Sequence, residues 1–215
     1  MSGKITALKL QKRNRQRVNV YLDGAFSFGL SRISAAWLYV GQELSDEKIA
    51  SLIADDAREV AYQRALGLLE HRMRSESEIH QKLAANNIPE EVIEDVIIRL
   101  RRSGLVNDQQ FARAWVENRS EFHPRGRRAM SIELRQHGLS REAIDQALAD
   151  LDEEALAYKA AQKQARKLAH LEPVEFRRKM YGFLARKGFD YEAITSVITR
   201  ICNENGTQEN ADEYQ

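Results

Sequence analysis

The chain repeats itself. Three stretches, Leu83–Ile93, Leu134–Ile144 and Leu184–Ile194, align at offsets of 51 and 50 residues. The match continues through Val96/Ala147/Val197, Ile97/Leu148/Ile198 and Leu100/Leu151/Ile201. A fixed period of this size means one supersecondary unit used several times, which removes most single-core folds from consideration. Each aligned position has a physical reason. Leu83, Leu134 and Leu184 close the apolar face of one helix. Asn87, Gly138 and Gly188 fall where a left-handed residue ends it, and Gly and Asn tolerate that conformation. Ile88, Leu139 and Phe189 fold back onto the finished helix end. Ser140 and Asp190 can cap the next helix, and Pro89 suits its start in the first copy. Ile93, Val96, Ile97 and Leu100 then make an i, i+3, i+4, i+7 stripe.

The segment before each unit agrees. Ser75-Glu76-Ser77-Glu78 is a capping box, and Pro124 and Pro173 stand before the equivalent helices. Further helices are predicted near 57–72, 108–121 and 155–170. With only 11 Gly and 3 Pro in 215 residues, against a usual joint share of about 12%, few chain-breakers interrupt them. The spacing predicts a mainly α protein of three tandem three-helix modules. One module of ~50 residues buries too little alone, so neighbours are expected to stack into an elongated curved array.

Only the N-terminus reads as β. Val18, Val20 and Leu22 alternate with polar residues up to Asp23-Gly24, and Phe26, Phe28 and Leu30 alternate after it. Asp-Gly between two such runs predicts a type I′ hairpin. Ile5 to Leu10 can add a third strand, across a basic turn from Lys12 to Arg15. A helix is expected from Ser31 to Gly41 with Trp37 and Leu38 buried. Ser45 should cap a linking helix, with Asp55-Asp56 as a break in it. The expected divisions are 1–44 (hairpin and following helix), 45–110 (linking helix and first module), 111–154 (second module), 155–202 (third module) and 203–215 (a disordered acidic tail).

The formal net charge of +1 hides segregation. Residues 1–44 carry seven bases and two acids, 155–202 carry ten and four, and the stretch between is net acidic. Basic ends around an acidic middle suit a polyanion or a partner of mixed charge; a solvated helical surface is the plain alternative. Arg99, Arg101 and Arg102 end a helix, where cations also satisfy its dipole. Arg125, Arg127 and Arg128 open one, where they oppose it, so an anionic partner gains credit there. Lys163, Arg166 and Lys167, then Arg177, Arg178 and Lys179, then Arg186 and Lys187, continue the pattern. These eleven residues from Arg125 onward are the candidate contact set.

Catalytic chemistry finds no foothold in the letters. No phosphate-cradling Gly loop, paired-His metal motif or nucleophile elbow is present. His71, His80, His123, His137 and His170 are dispersed, and the single Cys202 sits on an apolar stripe as a small hydrophobe. Trp37 and Trp115 read as core anchors. The longest apolar run, Ile33–Val40, is far short of the ~20 residues a membrane helix needs. A cytoplasmic, monomeric non-enzyme without cofactor or metal is expected.

One ordered set of short motifs is specific. Arg72 and Arg74 before Ser75-Glu76-x-Glu78, then Gly104-Leu105-Val106-Asn107-Asp108 with Phe111-Ala112-Arg113, then Pro124-Arg125-Gly126, Glu133-Leu134 and Gly138-Leu139 resemble the bacterial RecX family. The likeness is strongest over 57–154; 155–202 fits that family's third repeat and 1–56 the N-terminal extension of its longer members. Asn107 stands where the family often has Asp, and an acidic tail is not a hallmark of it. The resemblance implies a helical-repeat regulator that docks along the groove of the RecA–single-stranded-DNA filament. It also implies restraint of recombination, ATP hydrolysis and co-protease activity in DNA repair and the SOS response, with no catalytic residue or cofactor to transfer. Direct contact with single- or double-stranded DNA is a further expectation. An autonomous helical nucleic-acid-binding module is the alternative; the near-neutral pI of about 7.9 weighs against it, because dedicated DNA binders carry a large basic excess.

Overall fold

The computed structural model describes residues 2–212, with side chains through Glu204. Two compact units divide after Val106. The first opens with an antiparallel sheet of β1 (Gly3–Leu10), β2 (Arg17–Leu22), β3 (Ala25–Ser31) and β4 (Glu43–Leu44), in the order β3-β2-β1-β4. Asp23 (φ 48°) and Gly24 (φ 89°) form the expected turn with both central residues left-handed. Ile5, Val18, Val20, Leu22, Phe28, Leu30 and Leu44 make the sheet's buried face, joined by Ala35. From this unit's sheet the chain enters α1 (Asp46–Leu69), capped by Ser45, and then α2 (Glu76–Ala84) and α3 (Glu90–Arg102). The second unit holds α4 (Asp108–Phe122), α5 (Arg127–Gln136), α6 (Arg141–Ala147), α7 (Glu153–Leu168), α8 (Pro173–Arg186) and α9 (Tyr191–Asp212).

The period seen in the letters is a period in space. Each of α1–α3, α4–α6 and α7–α9 encloses its own apolar cluster. Leu83, Leu134 and Leu184 are all essentially sealed from solvent, as are Ile93, Ile144 and Ile194; each such side chain contributes roughly 1.5–3 kcal/mol. The predicted left-handed helix ends are present: Asn87 has φ 56°, Gly138 79° and Gly188 83°. After Gly138, Leu139 N–H donates to the Leu134 carbonyl at 3.2 Å and Gly138 N–H to Arg135 at 2.8 Å, the paired bonds of a Schellman stop. Ser75 and Glu78 complete the capping box, Ser140 caps α6 and Asp190 accepts from Ala193 N–H.

Four expectations are corrected. Residues 32–41 form turns rather than a helix: Ala35 and Leu38 face the sheet core while Trp37 is 88% exposed. The turns carry the chain back along β1, where Gly41 N–H meets the Ile5 carbonyl and β4 adds a fourth strand too short to announce itself. Asp55-Asp56 is no break. Asp56 is buried and accepts Ser31 N–H and Arg17 Nη2, tying α1 to the sheet. The second module starts at its N-cap Asn107 rather than at 111, with Asn107 accepting Gln110 N–H as an Asp would. Finally, α9 runs past 202 to Asp212, and within it Glu204 accepts from Arg200 Nε and the Tyr158 hydroxyl, both at 2.9 Å. Of the segment expected as a disordered tail, 213–215 lie outside the described residues.

Candidate partner interface

In the second unit the chain entering α5 runs against the turn between α8 and α9. Gly126 N–H donates to the Lys187 carbonyl at 2.9 Å, and a Cβ at Gly126 would stand only 2.1 Å from the Gly188 carbonyl oxygen. Gly188 is equally constrained, because its Cβ would meet Ala129 Cβ at 2.5 Å. Lys187 Nζ reaches back to the Pro124 carbonyl at 3.0 Å. Glu153, at the start of α7, completes the seam: its Oε1 accepts both Arg127 N–H and Asp190 N–H at 3.1 Å. One carboxylate thus serves the first turn of α5 and the cap of α9. Burial raises its pKa, with Asp190's charge adding to the effect and the two N–H donors and Arg127 opposing it.

Beside the seam lies an open groove of about 830 Å³. Arg127, Arg128, Ile132 and Arg135 of α5 line one side, and Tyr181 and Tyr191 belong to the other. Arg128, Ile132 and Arg135 fall on one helical face by their spacing. Tyr181 and Tyr191 are in edge contact, with ring centroids 6.4 Å apart, and both are substantially exposed. Behind α5, Glu133 gathers Arg119 Nε (2.7 Å), Trp115 Nε1 (2.9 Å) and Arg125 Nε (3.1 Å). Burial disfavours the Glu133 carboxylate, but the Arg119 and Trp115 hydrogen bonds and the two guanidinium charges prevail and hold its pKa below the usual range.

The eleven candidate cations therefore divide. Arg125 and Arg127 have carboxylate partners within the unit, Glu133 and Glu153, which supplies the local benefit that their position at a helix start did not suggest. Lys187 is spent on the seam; burial, then the neighbouring Arg125, lowers its pKa. Arg128 faces the groove. Lys163, Arg166 and Lys167 are exposed on α7, the last two in its final turn, where cations suit the dipole. Arg177, Arg178 and Lys179 are exposed on α8, with Lys179 paired to Glu175 at 3.1 Å and Arg178 at 3.9 Å, and Arg186 is exposed in its last turn. The structure brings Arg127 and Arg128 to the groove but none of the α7 or α8 cations. Arg135, Tyr181 and Tyr191 join it without having been singled out; their only trace in the letters was the helical spacing of Arg128 and Arg135. In the first unit, Arg99 lies over the Tyr62 ring and bonds Glu59, and Arg101 pairs with Glu76. Trp115 is half-buried against Phe111, as an anchor should be. Among the described residues no group of His, Cys, Asp and Glu could hold a metal, and no helix is long and apolar enough to cross a membrane.

The class these elements define is a tandem repeat of three-helix modules behind a small antiparallel sheet. Residues 3–45 match the N-terminal domain of regulatory protein RecX, and residues 61–100, 107–148 and 152–198 match its first, second and third three-helix domains, in order. Regulatory protein RecX of Clostridium perfringens (strain 13) is 30% identical over 208 residues, covering 94% of this chain and 97% of that protein. Its counterpart in Bacillus subtilis (strain 168) is 31% identical over 206 residues, covering 94% and 78%. A crystal structure of a regulatory protein RecX matches with a TM-score of 0.73 at 30% identity, over 91% of this chain and 98% of that one. RecX from Lactobacillus salivarius shares the fold, with a TM-score of 0.64 at 24% identity over 68% and 97%. This chain belongs to the RecX family.

Proposed function

We propose that this chain binds the filament of RecA recombinase on single-stranded DNA and inhibits its strand exchange, ATP hydrolysis and co-protease activity, acting as a cytoplasmic monomer without catalysis of its own. The observation that carries the reading is the ordered match of all four RecX domains, in relatives bearing the name of a regulatory protein. The groove supports it in kind. A filament presents the same surface at every subunit, so linked modules gain avidity from contacts that are individually weak. Arg128 and Arg135 offer forked donors to carboxylates, and the tyrosine pair offers apolar area that loses little entropy on docking.

Co-sedimentation with RecA assembled on single-stranded DNA tests the binding, against each component alone. ATP hydrolysis by the filament tests the inhibition. Arg128→Ala with Arg135→Ala should weaken both without loss of helicity, and more so than Arg177→Ala, Arg178→Ala and Lys179→Ala together. A chain that stays in the supernatant while RecA filaments pellet, and leaves the filament's ATPase unchanged at every salt concentration, refutes the proposal. The autonomous nucleic-acid reading then stands only if DNA binding survives without recombinase.

A further inference from the structure

The sheet of the first unit has two unlike faces. One is the buried core already described. The pairing register sets the other out in three rows: Ala7, Tyr21 and Phe26; Lys9, Asn19 and Gly29; and Arg17 with Ser31, next to Gln11. Phe26 remains 58% exposed although the same unit has a closed apolar core. Its ring stands edge-on to Tyr21 (centroids 6.0 Å, planes 76° apart), and Lys9 Nζ sits 5.0 Å from the Tyr21 centroid. Gln11 Nε2 donates to Asn19 Oδ1 at 2.8 Å beside Gly29, where a Cβ would press to 3.3 Å on that amide nitrogen. Glycine keeps the middle row low.

No acid of the sheet lies in these rows. Asp56 of α1 reaches the last of them, accepting Ser31 N–H and Arg17 Nη2, while Lys9 in the middle row faces no carboxylate of the sheet. The two acids of residues 1–44 are Asp23, which accepts Lys4 N–H at the hairpin turn, and Glu43, on the far strand β4. Seven bases accompany them, and the turn holding Lys12, Arg13 and Arg15 leaves the sheet at its Gln11 end. The exposed Phe26 ring beside the half-buried Tyr21, with Lys9 and hydrogen-bonding amides on the same open face, matches a strand that offers unstacked base faces and phosphodiesters together. A duplex hides its base faces, and a basic partner would be repelled.

We propose that the outer face of the N-terminal sheet is a binding platform for single-stranded nucleic acid, with bases stacking on Phe26 and Tyr21 and Lys9 meeting the phosphodiester. The assignment stands independently of the filament reading. Fluorescence anisotropy of a labelled oligothymidylate with the full chain, recombinase absent, tests it across a salt series. Binding should weaken with salt, since phosphate contacts release counterions. Phe26→Leu, which keeps apolar bulk but removes the π-face, and Tyr21→Leu should each cost about 5- to 150-fold in affinity. Tyr21→Phe should bind like the parent, and Lys9→Ala should lower both affinity and salt slope. Circular dichroism and melting curves confirm the fold of each variant. Three results overturn the platform: no binding by the parent, unchanged affinity in folded Phe26→Leu, or loss of binding on Arg128→Ala with Arg135→Ala rather than on the sheet substitutions. Competition by duplex DNA as strong as by single strand overturns it too.

Discussion

Gly126 is the position where one methyl group should do most harm. Its backbone (φ −75°, ψ 163°) suits any residue, so an alanine there meets no dihedral strain. The obstacle is a carbonyl oxygen 2.1 Å away on a turn that cannot rotate. To make room, α5 must draw back from the α8–α9 turn, which stretches Gly126 N–H to Lys187 and both N–H contacts of Glu153. Overpacking of this kind costs about 1–3 kcal/mol and each weakened hydrogen bond about 0.5–1.5 kcal/mol. Gly126→Ala should therefore lose roughly 2.5–7.5 kcal/mol, a fall in Tm of about 10 °C or more for a unit this size. The assay is thermal and urea unfolding followed by Trp115 fluorescence in a Trp37→Phe background, which removes the exposed second indole. Gly182→Ala is the internal control: its Cβ meets only the mobile end of Arg186 at 3.3 Å, so helix propensity should dominate and stabilise by up to about 1 kcal/mol. If Gly126→Ala melts within a degree or two of the parent while Gly182→Ala behaves as stated, the close approach at the seam is wrong.

Gly138→Val should cost on the order of 1–2 kcal/mol, because a β-branched residue is forced to the left-handed φ of 79°; Asn87→Gly, by contrast, should leave denaturation unchanged or slightly improved. Glu133→Gln should lower stability at neutral pH by about 1 kcal/mol or more, as Arg119 and Arg125 lose a charged acceptor. Since the folded pKa of Glu133 is depressed, the parent's advantage is present above the ordinary glutamate pKa and fades as pH falls through the folded value; urea titrations between neutral and acid pH read it directly. Glu153 has the opposite sign. Its folded pKa is raised, so its contribution is full at acid pH and declines as pH climbs through that value, and Glu153→Gln should flatten this part of the stability–pH curve.

Helix ends and core stripes were legible because each is fixed by a few neighbours in the chain. A left-handed stop at Gly138, a cap at Ser140 and the stripe through Ile144 need nothing distant to be read. The failures share the opposite property. Asp56 looks like a helix-breaking acid until Arg17 and Ser31, on the sheet, are known to face it. Trp37 looks like a core anchor until β4 returns along β1 and leaves its loop outside. Glu153 is an ordinary first-turn glutamate in the letters, and nothing local predicts that it also caps two elements from other helices. The basic clusters were visible as charge, but whether an arginine is free or engaged depends on partners such as Glu133, eight residues from Arg125 and brought to it by the turn into α5.

The seam between the second and third modules is made largely of main-chain atoms: a peptide N–H on a carbonyl, two glycines without side chains to exchange, and a carboxylate whose bonds end on backbone amides. Such a joint is indifferent to what the outward-facing side chains become. Arg128, Arg135, Tyr181 and Tyr191 line the gap, and since the seam beside it rests on main-chain atoms, replacing any one of them should leave its width unaltered. The gap thus behaves as a fixed-jaw gauge, in which the chemistry of the jaws can be retuned to a changing partner while the span between them is inherited unaltered.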